Sequence, residues 1–219
     1  MNHKNKLVNF LLDFLFPRPT PVISIQNMSA DEIDRKIPRA REIDGNDLNA
    51  LFDYRDDLAR QAIWEIKYRK NEKILVSFCK IFYEYMLDEL ADEAIFSDFK
   101  NPILIPIPSS KNRLKERGYN QCVLIAEEIA RIDGGKNFTL SKNFLEKVKD
   151  SPSQTSVKNR RERLKNLKDC FRAVSSDKII NSNVILVDDV ITTGATMSEA
   201  KKTLLDAGAR QVLCFALAH

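Results

Sequence analysis

The sequence predicts an α/β protein: a mostly parallel sheet flanked by helices, with a small helical region ahead of it. Three observations carry this. Two apolar runs, Ile103 to Pro108 and Val184 to Val187, lack polar alternation, as strands buried on both faces do. Each run leads into a polar turn and then into apolar residues at helical spacing. The stretch from Val184 to Ala218 reads strand, helix, strand, a βαβ unit whose crossover is right-handed by rule.

In chain order, Leu7 to Phe16 is a short apolar stretch interrupted by Asn9 and Asp13 and followed by Pro17-Arg18-Pro19. It lacks a small-residue cleavage site and reads as an amphipathic helix rather than a signal peptide. Residues 17–46 are rich in proline and charge and read as a linker or flap, with a short strand at Thr20 to Ile25. Residues 1–46 are therefore a lead-in, and 47–219 the main domain, helical over 47–100 with its core over 101–219.

From Asp47 the spacing of Leu48, Leu51, Phe52, Leu58, Ala62, Ile63 and Ile66 predicts helix, broken near Tyr54. Lys67-Tyr68-Arg69-Lys70 is a basic knot that suits a helix C-terminus. A second helix carries Ile74, Phe78, Ile81, Phe82, Tyr85, Met86 and Leu90 as a core stripe. After the strand at Ile103 to Pro108, residues Ser109 to Arg113 read as a polar, basic loop. A helix then runs from about Tyr119 to Arg131, ended by Asp133-Gly134-Gly135. Short strands are expected at Phe138 to Leu140 and Leu145 to Val148. Ser151 to Ser156 is a flexible polar stretch. Lys158 to Lys168 is a basic run with Leu164 and Leu167 on one helix face. The last helix spans about Thr196 to Ala207 with Gly208 as its cap, and Val212 to Ala218 is the final strand.

The chemistry concentrates in Val184 to Thr196, VILVDDVITTGAT. Asp188 and Asp189 end a strand, where open α/β sheets bind ligands. The segment Val190-Ile191-Thr192-Thr193-Gly194-Ala195-Thr196 then turns into a helix. Unpaired N–H groups and the positive end of the helix dipole suit a phosphate there. Gly194 permits close backbone approach, and the threonine hydroxyls can donate. Two adjacent carboxylates suit a vicinal diol. A phosphate beside a diol is a ribose 5-phosphate. Neither GxxxxGK[ST] nor GxGxxG is present, which excludes a Walker loop and a dinucleotide fingerprint. A second anion site is expected after the first strand, where Ser109, Ser110, Lys111, Arg113, Lys115 and Arg117 could supply the donors a pyrophosphate needs.

Composition bounds the rest. The 219 residues carry a net charge of +4, which permits anionic ligands without arguing for nucleic acid. Cys79, Cys122, Cys170 and Cys214 are scattered, with no CxxC, which argues against a zinc ribbon or disulfide framework and for a reducing cytoplasm. His3 and His219 are the only histidines, so a histidine metal site or triad is not expected. No apolar run is long enough to span a bilayer.

VILVDDVITTGAT resembles the phosphoribosyl pyrophosphate signature of type I phosphoribosyltransferases. The resemblance implies the type I phosphoribosyltransferase fold, with Asp188 and Asp189 holding the ribose hydroxyls and the following loop the 5-phosphate. It also implies Mg2+ beside Asp188 and Asp189, reached through ribose hydroxyls or water. Some purine-salvage members carry an aspartate where this chain has Thr192, so purine salvage is disfavoured. Ile105-Pro106-Ile107-Pro108 and Arg113-Leu114-Lys115-Glu116-Arg117-Gly118-Tyr119-Asn120-Gln121 are similar to segments of one branch, the ComF-like proteins of bacterial competence. Gln154, Arg163, Asn166 and Phe171 fit its Q…R-x-x-N…F segment, and Leu12 to Pro17 its lead-in. That family typically has a four-cysteine zinc ribbon after the lead-in. Here Thr20-Pro21-Val22-Ile23 stands instead, so zinc is not expected.

Two functions follow from the resemblance. In one, the chain is an enzyme that binds phosphoribosyl pyrophosphate with Mg2+ and transfers the phosphoribosyl group to an acceptor. Lys111, Arg113 and Arg117 then hold the leaving pyrophosphate, and residues 154–168 form a lid. In the other, it is a non-catalytic module that binds a nucleotide or single-stranded DNA during DNA uptake, alongside a competence helicase.

Overall fold

The computed structural model describes residues 25–43, 48–149, 169–174 and 176–219. Leu7 to Phe16, all but the last residue of the strand expected at Thr20 to Ile25, and the 154–168 lid lie outside them.

The main sheet has five parallel strands in the order β1 (Leu48–Phe52), β7 (Gln211–Ala218), β6 (Asn183–Val190), β2 (Ile103–Pro106) and β3 (Thr139–Leu140). A separate antiparallel pair joins β4 (Leu145–Lys147) to β5 (Phe171–Ala173). Seven helices lie among the described residues. They are α1 (Ala30–Lys36), α2 (Asp57–Arg69), α3 (Glu72–Phe96), α4 (Lys111–Arg117), α5 (Gln121–Asp133), α6 (Ser176–Ile179) and α7 (Ala195–Asp206).

Period-two alternation sorts the central strands onto two cores. Leu104, Ile185, Val187, Leu213, Phe215 and Leu217 face a layer built from α1, α2, α3 and α5. Ile105, Val184, Leu186, Val212, Cys214 and Ala216 face α7, α6 and the β4–β5 pair. Each fully buried aliphatic or aromatic side chain contributes about 1.5–3 kcal/mol. In the connection after β2, α5 thus covers one face, and α7, after β6, covers the other. Between those two neighbouring strands the connections part, which makes the crevice that open α/β sheets use for ligands.

Four expectations need correction. Residues 48–52 form edge strand β1, not helix. Leu48, Asn49, Ala50 and Phe52 pair with Cys214, Phe215, Ala216 and Ala218 of β7, and the helix begins only at Asp57, capped by the Asp56 carboxylate. Apolar residues three and four apart do not separate a short strand from a helical turn, and the sheet settled the matter here. Second, residues 25–37 are no linker. Ser29 and Glu32 form a capping box for α1, and Ile25, Ile33 and Ile37 are buried in the main core. Third, the basic loop at Ser109 to Arg113 is mostly helix. Ser110 caps α4, Gly118 ends it in the left-handed region, and the next helix starts at Gln121. Ala207 rather than Gly208 caps α7.

Candidate functional site

A cleft opens at the C-terminal ends of β2 and β6. Its lining includes Ser109, Arg113 and Arg117 from the β2 side, and Asp188 to Met197 from the β6 side. Two sequence-predicted anion sites therefore meet in one crevice.

Successive residues of a strand face opposite ways, so the two aspartates have different neighbours. Asp188 accepts from the Cys122 thiol at 3.1 Å and from the Asp189 backbone N–H at 2.8 Å. Cys122 stands in the first turn of α5 and is buried. Asp189 points toward the helical layer and meets Lys67 of α2, with Nζ 3.0 Å from its Oδ1. Its other oxygen, Oδ2, is buried without a hydrogen-bond partner. Oxygen and thiol ligand atoms of Cys122, Asp188 and Asp189 lie within 4.8 Å of one another.

The charges follow from this packing. Burial, and then the neighbouring Asp189 carboxylate, push the Asp188 carboxyl up to about 6. Burial and both aspartates push the Cys122 thiol well up, so it stays a protonated donor. Burial alone would pull the Lys67 ammonium down; Asp189 outweighs it, and the net shift is upward.

The turn from β6 into α7 takes the expected strand–turn–helix form. Ile191 continues the sheet, its N–H donating to the Ala218 carbonyl at 2.9 Å. Gly194 then adopts φ +74° and opens α7 with no side-chain cap, leaving first-turn N–H groups for an anion. A Cβ at Gly194 would come 2.8 Å from Leu48 Cδ1. Gly194→Ala combines that clash with the left-handed strain of an L-residue, about 1–2 kcal/mol. We expect it to lower unfolding free energy by about 2 kcal/mol in urea denaturation, with loss of phosphate binding.

The segment Arg117 to Gln121 organises the other wall. Tyr119 OH donates to the Ile66 carbonyl at 2.9 Å and accepts from the Lys70 N–H at 3.1 Å, fixing the end of α2. Asn120 donates to the Ile107 carbonyl and accepts from Ser109 Oγ, each at 2.9 Å, and caps α5 through the Cys122 N–H. Arg117 donates to Gln121 Oε1 at 2.9 Å and to Tyr68 OH at 3.2 Å.

Of the predicted site residues, Asp188, Asp189, Val190, Ile191, Thr192, Thr193, Gly194, Ala195, Thr196, Ser109, Arg113 and Arg117 line the cleft. Lys111 is exposed on α4 and Ser110 is spent capping it; neither lines the cleft. Sequence reasoning missed Lys67, Tyr54, Cys122 and Lys147, all in the lining. Lys67 belongs to the basic knot, whose position on a helix end explained it without a ligand. Lys147 arrives from β4, an element whose placement over the cleft no local pattern encodes.

A parallel sheet with an acid–loop–helix unit at its switch point defines the phosphoribosyltransferase class. A family model for the phosphoribosyl transferase domain matches residues 86–219, more than half of the chain, and the chain belongs to that family. Within it the chain is ComF-like. It is 31% identical over 70% of its length to competence protein ComFC of Bacillus subtilis, covering 56% of that protein. It is 37% identical over 53% of its length to competence protein F of Haemophilus influenzae, covering 49% of it. A match to DNA utilization protein YhgH of Salmonella typhimurium is 25% identical over 78% of the chain and 70% of that protein. The chain spans about half the length of the first two. Among the described residues no helix is long and apolar enough to cross a membrane.

Proposed function

We propose that the cleft binds phosphoribosyl pyrophosphate with Mg2+ and transfers its phosphoribosyl group to an acceptor. The observation that carries this is the convergence of Asp188, Asp189 and the α7 N-terminus with Arg113 and Arg117 in one crevice. In this reading the aspartates accept from the ribose hydroxyls, and the loop from Thr192 to Thr196 holds the 5-phosphate. Arg113 and Arg117 face the pyrophosphate that departs when the C1–O bond breaks, where charge develops and fixed donors act most strongly.

The donor set suits a hard cation. Two carboxylates stand together, one with a buried oxygen lacking a partner, and Mg2+ prefers oxygen ligands. When bound, Mg2+ would neutralise phosphate charge beside Asp188 and Asp189. The Cys122 thiol, held protonated, acts as a donor to Asp188 rather than as a ligand.

Calorimetric titration with phosphoribosyl pyrophosphate, with and without Mg2+, tests this reading. Saturable, Mg2+-dependent binding is expected, and no heat under either condition would refute it. Replacing Arg113 and Arg117 with alanine should weaken the pyrophosphate compound at least tenfold more than ribose 5-phosphate, given about 1.5–3 kcal/mol per charge-assisted bond. Lys111→Ala should change neither, because Lys111 lies outside the cleft lining. Equal losses for both ligands would move the pyrophosphate elsewhere.

A second reading has its own support. The similar proteins are named for competence and DNA utilization. The same cleft could receive the sugar and phosphate of a DNA strand during uptake, with a helicase as partner. The basic run at Lys158 to Lys168 that also motivates this reading lies outside the described residues.

A further inference from the structure

The outer face of α2 carries an aromatic shelf that the transfer reaction does not use. Trp64 and Tyr68, one helical turn apart, have ring centroids 5.3 Å apart and planes tilted by 38°. Both are exposed, 46% and 50%. A guanidinium stands against each ring. That of Arg69, buried and ion-paired with Glu65, lies 5.3 Å from the Trp64 ring centre, and that of Arg117 lies 4.7 Å from Tyr68. Lys70 is exposed at the end of the same helix. A large aromatic pair left in solvent forgoes burial that its area would reward, and exposed aromatic surface of this kind commonly marks an interaction site.

The shelf is continuous with the cleft. Arg117 both lines the crevice and reaches Tyr68, by a hydrogen bond from Nη2 to the phenol oxygen at 3.2 Å as well as by its position over the ring. On α2 itself, Lys67 turns inward to Asp189 while Trp64 and Tyr68 turn outward. One helix therefore borders a phosphate-sized crevice on one side and offers two aromatic faces on the other.

We propose that Trp64 and Tyr68 form a base-stacking platform for single-stranded nucleic acid, with the strand's phosphates directed along Arg117 toward the cleft. The chemistry is that of strand binders: aromatic faces take unpaired bases without regard to sequence, and nearby cations, here Arg117 and the exposed Lys70, take the backbone. The openness of the shelf favours a strand over a free base. Small-molecule sites enclose most of their ligand, whereas a half-exposed pair of rings can hold a base only when other contacts tether it. A paired duplex cannot use the shelf, because its bases already stack on one another. This inference rests on the second reading above and is independent of transfer chemistry.

Trp64 is the sole tryptophan, so its fluorescence reports the shelf directly. The full chain would be titrated with a fluorescein-labelled oligodeoxythymidylate of about ten nucleotides. Anisotropy reads binding anywhere on the protein. Quenching of Trp64 by the unlabelled strand reads stacking at the shelf. Saturable quenching is expected at the concentrations that raise anisotropy, at least tenfold weaker for the same strand annealed to its complement. Tyr68→Ala should cost the strand about tenfold in affinity, in line with one lost base stack; Trp64→Ala, read by anisotropy, should cost about as much and leave phosphoribosyl pyrophosphate binding within twofold. The Asp188→Asn, Asp189→Asn variant should retain the quenching.

Anisotropy without quenching, or a Tyr68→Ala variant that binds the strand as before, would overturn the platform while leaving strand binding in place. Thymidine that quenches as well as the strand at equal nucleotide concentration would make the shelf a free-base site and overturn the proposal. No anisotropy change at low salt would overturn both the platform and the DNA reading. None of these outcomes bears on the calorimetric test of transfer.

Discussion

The double replacement Asp188→Asn, Asp189→Asn should reduce phosphoribosyl pyrophosphate affinity by at least about a hundredfold, read by calorimetry. Each carboxylate can accept from a ribose hydroxyl, and hydrogen bonds to a charged acceptor contribute about 1.5–3 kcal/mol apiece. Losing two such bonds removes about 3–6 kcal/mol, two to four powers of ten in Kd. The single variants separate the roles. Asp188→Asn leaves the Lys67–Asp189 pair in place and removes a carboxylate held against burial and against its neighbour, so it should weaken binding without lowering the melting temperature. Asp189→Asn leaves the Lys67 ammonium without its counter-ion in a partly desolvated position and should lower it. Wild-type affinity in the double variant would mean that the diol is held elsewhere.

The same carboxyl sets a pH dependence. Asp188 is raised to about 6 from an ordinary value near 3.8, so the folded state holds its proton over a range where the unfolded chain has released it. Stability from this group is present at low pH and is lost as pH climbs from about 4 to about 6, about 3 kcal/mol in all. Binding should run the other way. An ionised Asp188 is the better acceptor for a ribose hydroxyl, so affinity should rise as pH passes 6. Asp188→Asn should flatten both profiles. A wild-type binding curve flat from pH 5 to 7 would show that Asp188 does not titrate in this range.

The legible parts of the site share a property: each is encoded by residues adjacent in the chain. Strand, acids, loop and α7 lie in one run from Val184 to Asp206, and Gly194 takes the left-handed conformation that the turn requires. The segment from Arg117 to Gln121 could be picked out for its resemblance. Its physical meaning waited on partners some fifty residues away, Tyr68, Ile66 and Lys70. Edge strand β1 was invisible for a related reason. Its five residues owe their conformation to pairing with β7, far along the chain, and helical spacing in so short a window is an accident of composition. Lys67 was hidden because a basic residue in the last turn of a helix already has a local explanation in the helix dipole. Only the tertiary fold brings it to Asp189.

That pairing supports the last prediction. Lys67→Met should destabilise the protein by about 2–4 kcal/mol at pH 7, measured by urea denaturation. The lysine and Asp189 side chains are only 16% and 7% exposed, and breaking a buried ion pair strands the remaining charge. Here that charge is an aspartate beside a second one, so repulsion adds to desolvation. The deficit should shrink as pH falls through about 6, where Asp188 takes up its proton and no longer repels the stranded carboxylate. In the wild type the pair works in the opposite sense. The Lys67 ammonium is held above its ordinary value, so its contribution is complete below about pH 10 and fades only in stronger alkali. Adding Asp189→Asn to Lys67→Met should recover a large share of the loss, with a coupling of about 1–3 kcal/mol in the double-mutant cycle. Strict additivity of the two single losses would show that Lys67 and Asp189 act apart. The acidic pair would then be held in register by β6 alone rather than by α2 as well.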